Sequence, residues 1–123
     1  MSEELVGLIV LLFTLVLLPA VCIAVTRQAA EGSLDVNAAV GIRTRSTQAS
    51  AESWVAGHQT ALPIVKMMWP LAGVGLLAAV VVQLVAGSPM GTVVAFLALI
   101  AQIAVLVRAA AAANNAARAV TQG

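Results

Sequence analysis

The residues whose types and spacing could support recognition or catalysis lie in one polar stretch, residues 37–58, of an otherwise apolar chain. Arg43 carries a rigid guanidinium with five donors, and hydroxyl side chains follow it closely. Such a group binds phosphate through parallel hydrogen bonds. The candidate residues for binding a partner or a phosphate are Asn37, Gly41, Arg43, Thr44, Thr47, Glu52, Trp54 and His58.

The same residues do not make a catalytic set. Glu52 and His58 could act as an acid and a base, but six residues apart on a helix they point in different directions. No nucleophile stands beside a base and an orienting group, so we predict a protein that is not an enzyme. The one histidine and the one cysteine, Cys22, lie in different segments, so neither a metal site, a cofactor nor an intrachain disulfide is predicted.

The composition predicts an integral membrane protein. Of 123 residues, 62% are hydrophobic and 9% are charged, and the mean hydropathy is +1.06. A net charge of +1 gives no electrostatic reason to expect direct binding of nucleic acid. Membrane lipids are therefore the first expected partners.

Three apolar segments are long enough to cross a bilayer, and together they predict one membrane domain over residues 1–123. Leu5 to Val25 contains no charge and predicts the first span. We predict an anchor here and not a cleaved signal, because Glu3 and Glu4 stand where a signal peptide is positively charged. The second span is predicted over residues 63–86, and the third over residues 91–118. The third includes a cytoplasmic helical extension, which either projects or lies beside the long loop.

The basic residues predict the orientation, because lysine and arginine collect on the cytoplasmic side. The amino-terminal segment and the hairpin turn at residues 87–89 carry none of them. All six lie in or beside the loop after the first span, residues 26–62, or in the carboxyl-terminal tail: Arg27, Arg43, Arg45, Lys66, Arg108 and Arg118. We predict a membrane protein with its amino terminus outside and its polar loop and carboxyl terminus in the cytoplasm.

A short interfacial helix is predicted from about Ala51 to about Thr60. Ser50 offers a capping hydroxyl, and Glu52 lies in the first turn, where the helix dipole favours a negative charge. Trp54 and His58 share one face, and we expect Trp54 to enter the lipid headgroup layer. The predicted fold is an all-α integral membrane protein with three transmembrane helices and this short cytoplasmic helix between the first and the second.

Small and amide residues recur on one stripe of each of the last two spans, a pattern typical of helix packing in membranes. The stripe residues are Gly75, Ala79, Gln83, Gly91, Ala95, Ala98 and Gln102. A tight turn centred near residues 88–89 would place Gln102 about level with Gly75. It would also place Gln83 about level with Ala95, and each glutamine could then reach a backbone carbonyl.

The polar stretch resembles the SdpI family of bacterial membrane proteins. The resemblance rests on the ordered series Asn37, Gly41, Arg43, Thr44, Thr47, Ser50, Glu52, Trp54 and His58, between a first span and a two-span hairpin. Arg45 stands where members commonly have proline. The resemblance covers nearly the whole chain and implies a protein of the bacterial plasma membrane. It also implies immunity to a secreted peptide toxin, with signalling through a regulatory protein held at the membrane.

Two other interpretations stay open. In the first, the loop is structural: Arg43 and Arg45 bind lipid phosphates, and Trp54 anchors the chain. In the second, the chain is a non-catalytic accessory subunit of a larger membrane or envelope complex, or a homo-oligomer, because three short helices bury little surface by themselves. Copurification of a complex would favour the second, whereas immunity predicts a toxin-survival phenotype.

Overall fold

A computed structural model describes residues 2–122, which contain helices and loops and no strand. Three helical stretches are long and apolar enough to cross a membrane. The helices are α1 (Glu3–Ala30), α2 (Ala51–Val65), α3 (Met68–Ala86) and α4 (Met90–Gln122), with a 3-10 turn over Thr47–Ala49. The predicted all-α, multi-pass membrane fold is confirmed.

The bundle has two stacked layers, and the long helices α1 and α4 run through both of them. In one layer α3 packs against these two helices, and in the other α2 does so. With 33 residues, α4 is about 50 Å long, well beyond the roughly 30 Å of a hydrocarbon core. Its part after the exposed Arg108 lies beside α2. The candidate site is in this second layer.

A break between α2 and α3 divides the segment that was predicted as one continuous second span. Pro70 has no N–H to bond the Lys66 carbonyl four residues earlier, and its ring crowds that carbonyl. The N–H of Trp69 bonds the carbonyl at 3.2 Å. The helix therefore ends at Val65 and resumes at Met68. The predicted interfacial helix is correspondingly longer, and its inner face is buried against the bundle.

The hairpin of α3 and α4 pairs its small residues in a different register from the predicted one. A Cβ on Gly75 would lie 2.6 Å from the Cβ of Ala98. The predicted partner of Gly75, Gln102, lies about one turn farther along α4.

The partner of Gln83 on α4 is displaced from the predicted one in the same direction. Gln83 faces Gly91, where an added Cβ would lie 2.5 Å from the Gln83 Oε1, and not the predicted Ala95. The physical reason is the turn, which is centred near Gly87, at a φ of +75°, and not near residues 88–89. The Gln83 amide donates to the Ser88 hydroxyl at 2.9 Å and so fastens the end of α3 to the turn.

Gln102 is completely buried and bonds two other helices. Its Nε2 donates to the Leu15 carbonyl of α1 at 3.0 Å and to the Met68 carbonyl of α3 at 3.3 Å. Pro19 lies four residues after Leu15 and has no N–H, so the Leu15 carbonyl lacks its usual helical partner. The Gln102 amide replaces that partner and ties α4 to both neighbours.

We expect Gln102→Leu to lower the free energy of unfolding by about 1 kcal/mol, because the Leu15 carbonyl loses its donor in a place without water. The loss is limited, since the buried Gln102 Oε1 itself has no partner within residues 2–122. In a Pro19→Ala background the new N–H can bond Leu15, and the substitution should cost less. A double-mutant cycle of unfolding in detergent measures this coupling, and equal costs in both backgrounds would contradict it.

Candidate functional site

His58 is the centre of the polar site and joins the motif loop to α2. Its Nε2 accepts a hydrogen bond from the Ile42 N–H at 2.9 Å, and its Nδ1 lies 2.7 Å from the Trp54 carbonyl. A backbone N–H can only donate and a carbonyl can only accept, so the imidazole is neutral and carries its proton on Nδ1. The ring is completely buried, and its centroid lies 4.3 Å from that of Trp54.

Gly41 allows the loop backbone to approach these two rings. Its φ is +111°, and an added Cβ would lie 2.8 Å from the Trp54 Cη2 and 3.2 Å from the His58 Nε2. Both the backbone conformation and the close approach require a residue without a side chain. The packing of the site therefore requires glycine at position 41.

Trp54 lies inside the protein, and the expectation that it enters the headgroup layer is wrong. It is 1% exposed, and its Nε1–H donates to the Leu34 carbonyl at 2.9 Å. Leu34 lies in the turn that follows α1, where its carbonyl has no helical partner. The indole supplies that partner while its ring packs against Gly41. Tryptophan thus connects α2 to the first part of the loop.

Thr44 and Thr47 close the loop on itself beside Arg43. The Thr47 hydroxyl donates to the Ile42 carbonyl at 2.7 Å and accepts from the Thr44 N–H at 2.9 Å. In return, the Thr47 N–H donates to the Thr44 hydroxyl at 3.1 Å. Thr47 is completely buried, so these bonds are shielded from water. They hold the backbone on both sides of Arg43.

The end of α4 contacts the start of α2, so the extension has the second of its two predicted placements, beside the loop segment. Ser50 caps α2 by accepting from the Ser53 N–H at 3.0 Å, as its position predicts. The Ser53 hydroxyl lies 3.1 Å from that of Thr121, 68 residues away. Gly57 packs so closely that an added Cβ would lie 3.0 Å from the Ala113 carbonyl. The tail is therefore a wall of the site.

One sequence signal could have revealed this packing. Ala109, Ala113 and Ala117 recur at intervals of four and are completely buried. An alanine stripe permits a close approach of two helix backbones. The helix-favouring composition by itself had left open whether the extension projects or lies beside the loop.

The eight predicted site residues divide into two groups. Five of them pack or bond within the site: Gly41, Thr44, Thr47, Trp54 and His58. The side chains of Asn37, Arg43 and Glu52 are exposed instead, and Arg45 is exposed beside them. Within residues 2–122, Arg43 makes no ion pair. The structure thus separates residues that build the site from residues that present a surface.

His58 lies beyond Arg27 and Arg108, outside the apolar spans, because its neighbour Gln59 bonds the Ala30 carbonyl and Gly57 packs on Ala113. Burial lowers the pKa of His58 from its usual value of 6.5, because the imidazolium loses water, while the bond to the Trp54 carbonyl raises it and offsets part of this effect. Protonation of the His58 Nε2 would also place its N–H against the Ile42 N–H, so that two donors would face each other. The neutral ring is therefore part of the folded loop.

We expect the protein to lose stability as the pH falls through 6.5 towards the lowered pKa of His58. Between these values the unfolded chain binds a proton that the folded chain does not, so stability rises with pH. His58 is the one histidine of the chain, which makes it the main titrating side chain between pH 5 and 8. The midpoint of thermal unfolding in detergent measures the effect, and His58→Gln should remove it. An unchanged pH profile in that variant would contradict this role.

The described residues contain no group of three or more His, Cys, Asp or Glu side chains that could hold a metal ion. The exposed guanidinium and the exposed hydrogen-bonding groups around it can instead bind an anionic or polar partner. The arrangement is an exposed polar surface on a loop backbone that hydrogen bonds hold in place.

Comparison with known protein families gives a match to the polar loop and the helices that follow it. No curated protein and no solved structure matches the chain. The family model of the SdpI/YfhL protein family matches residues 33–108, more than half of the chain. The matched part contains the polar loop, α2, α3 and most of α4, and it excludes α1, so it is shorter than the resemblance had implied. The chain belongs to the SdpI/YfhL protein family.

Proposed function

We propose that this protein is a bacterial plasma-membrane immunity or signalling protein, which recognises a peptide toxin or a regulatory protein through its exposed motif surface. We define the motif surface as Asn37, Arg43, Arg45 and Glu52. Family membership supports a role of this kind. The distribution of the basic residues supports a cytoplasmic location for the motif surface.

The exposure of Arg43 on a fixed backbone carries the proposal. Its neighbours are held on both sides, since Ile42 bonds His58 and Thr47, and Thr44 bonds Thr47. A side chain on such a support loses little backbone freedom when it binds, which favours affinity. The internal hydrogen bonds of this loop thus hold in place the backbone that carries Arg43.

The chemistry of the motif surface fits a mixed polar partner. Arg43 has no ion pair within residues 2–122, so its donors are free to bond a carboxylate or a phosphate. Glu52 is exposed in the first turn of α2 and offers an acceptor for a basic group. No set of catalytic groups accompanies them, and we propose binding without chemical conversion.

The test places a photoreactive residue at Gln48, which is exposed between Arg43 and Glu52. Trp54 is unsuitable because it is buried. Crosslinking in intact cells should yield one protein or peptide adduct, and Arg43→Ala should reduce its yield about tenfold, the effect of losing a charged hydrogen bond. Arg118→Ala is the matched control, since it removes an exposed arginine elsewhere.

Each other outcome has a definite meaning. An adduct whose yield is the same in both variants would contradict recognition by Arg43. Adducts to phospholipid alone would favour the structural interpretation of the loop. A stable copurifying complex without a toxin-survival phenotype would favour the accessory-subunit alternative.

A further inference from the structure

An apolar groove opens where the end of α1 faces the motif loop. Its volume is about 300 Å³. Its walls include Cys22, Val25 and Thr26 of α1, Gly41 and Ile42 of the loop, and Leu106 of α4. The groove therefore lies at the end of the first apolar span, where lipid acyl chains begin.

The motif builds one wall of this groove. The Ile42 N–H is bonded to His58, and Gly41 rests against Trp54. Both contacts hold the loop backbone against α2, which itself packs on α1. The groove is thus a formed feature of the fold, and the wall that the motif builds lies within the part that the family model matches, whereas the α1 wall lies outside it.

Each element around the groove has a basic residue close in sequence to the residues that line it. In each case the basic residue follows a lining residue by one or two positions. These exposed basic residues are Arg27, Arg43, Lys66 and Arg108. None of the acidic side chains lines the groove. An apolar groove whose lining residues have basic neighbours in sequence is complementary to an amphiphile with a negative headgroup.

We propose that this groove binds an acyl chain of an anionic phospholipid, with the headgroup phosphate at Arg27 and Arg43. Basic pockets between transmembrane helices bind anionic headgroups in this way. The apolar walls account for the chain, and the two arginines account for the preference for negative charge. The inference does not depend on a protein partner at the motif surface.

The test uses Trp54 as a reporter, because its ring contacts Gly41 in the groove wall. The chain has two tryptophans, so Trp69→Phe leaves Trp54 alone. This variant is placed in vesicles of equal parts phosphatidylglycerol and phosphatidylcholine, with bromine on the acyl chains of one lipid or the other. Brominated phosphatidylglycerol should quench Trp54 fluorescence roughly twofold more than brominated phosphatidylcholine.

Two substitutions in α1 locate the bound chain. Cys22→Phe fills the groove and should abolish the difference between the two lipids. Ala24→Phe adds the same group at an exposed position that does not line the groove, and it should retain the difference. If Cys22→Phe fails to fold, Arg27→Gln with Arg43→Gln leaves the groove open and should also abolish the preference.

Equal quenching by the two lipids in the Trp69→Phe protein would overturn the proposal, as would a preference that persists when the groove is filled. Purified protein and lipid suffice for this experiment. Its failure would leave a protein adduct at Gln48 unaffected, so the two proposals can fail separately.

Discussion

Gly41→Ala is expected to lower the free energy of unfolding by about 2–4 kcal/mol. At a φ of +111° the new residue would be strained, and its Cβ would lie 2.8 Å from the Trp54 Cη2. The loop would have to leave α2, which would also break the bond from Ile42 to His58. Unfolding in detergent, followed by the fluorescence of Trp54 in a Trp69→Phe background, measures the loss.

Gly32→Ala is the matched control for this prediction. Gly32 has a φ of +83°, but nothing lies within 4 Å of an added Cβ, so the substitution imposes backbone strain without the collision. We expect it to cost about 1 kcal/mol. Equal losses for Gly32→Ala and Gly41→Ala would show that the contact with Trp54 does not hold the loop.

Gly75→Leu is expected to separate α3 from α4 and to cost about 3 kcal/mol or more. The first atom of the new side chain would already lie 2.6 Å from the Cβ of Ala98, and the remaining atoms have no space between the backbones. Helices in lipid associate through such close contact, because the bilayer supplies no hydrophobic force between them. Thermal unfolding in detergent reports the change.

Gly73→Leu tests whether this effect belongs to the seam between the two helices. Gly73 is exposed on the same helix, and an added Cβ would meet nothing within 4 Å. It should change stability by no more than about 0.5 kcal/mol. If Gly75→Leu is as stable as Gly73→Leu, the packing of α3 on α4 is assigned wrongly.

The two groups of motif residues have different consequences for experiments on function. A loss of binding in a Trp54 or His58 variant would not identify a contact with a partner, because both side chains are buried and hold the loop. Arg43 and Glu52 are exposed, so their variants report on the motif surface more directly. The motif therefore contains two kinds of residue, those that hold the loop and those whose side chains are exposed.

Much of the architecture could be predicted from the sequence. The apolar lengths determined three membrane-crossing helices, since a span needs about 20 apolar residues whatever its neighbours are. Ser50 predicted the start of α2, because a capping bond is local. The order of the GIRT and ESW residues identified the family. These features depend on residues close together in the chain.

The tertiary structure decided which groups face one another. The apolar ring of Trp54 suits lipid and a protein interior equally well. The Leu34 carbonyl, which has no helical partner, and the space above Gly41 place the ring inside the protein. Gln102 donates to the Leu15 carbonyl, which Pro19 leaves without a helical donor, in a helix far away in sequence.

Composition and periodicity thus determined by themselves that this chain is an all-α membrane protein with a polar loop of the SdpI type. They did not determine the register of the hairpin or the packing of the α4 tail on α2. Those depend on turn geometry and on the close approach of distant backbones at Gly57, Gly75 and Gly91. Such contacts depend on the shapes of both helices, whereas a sequence pattern describes one helix at a time.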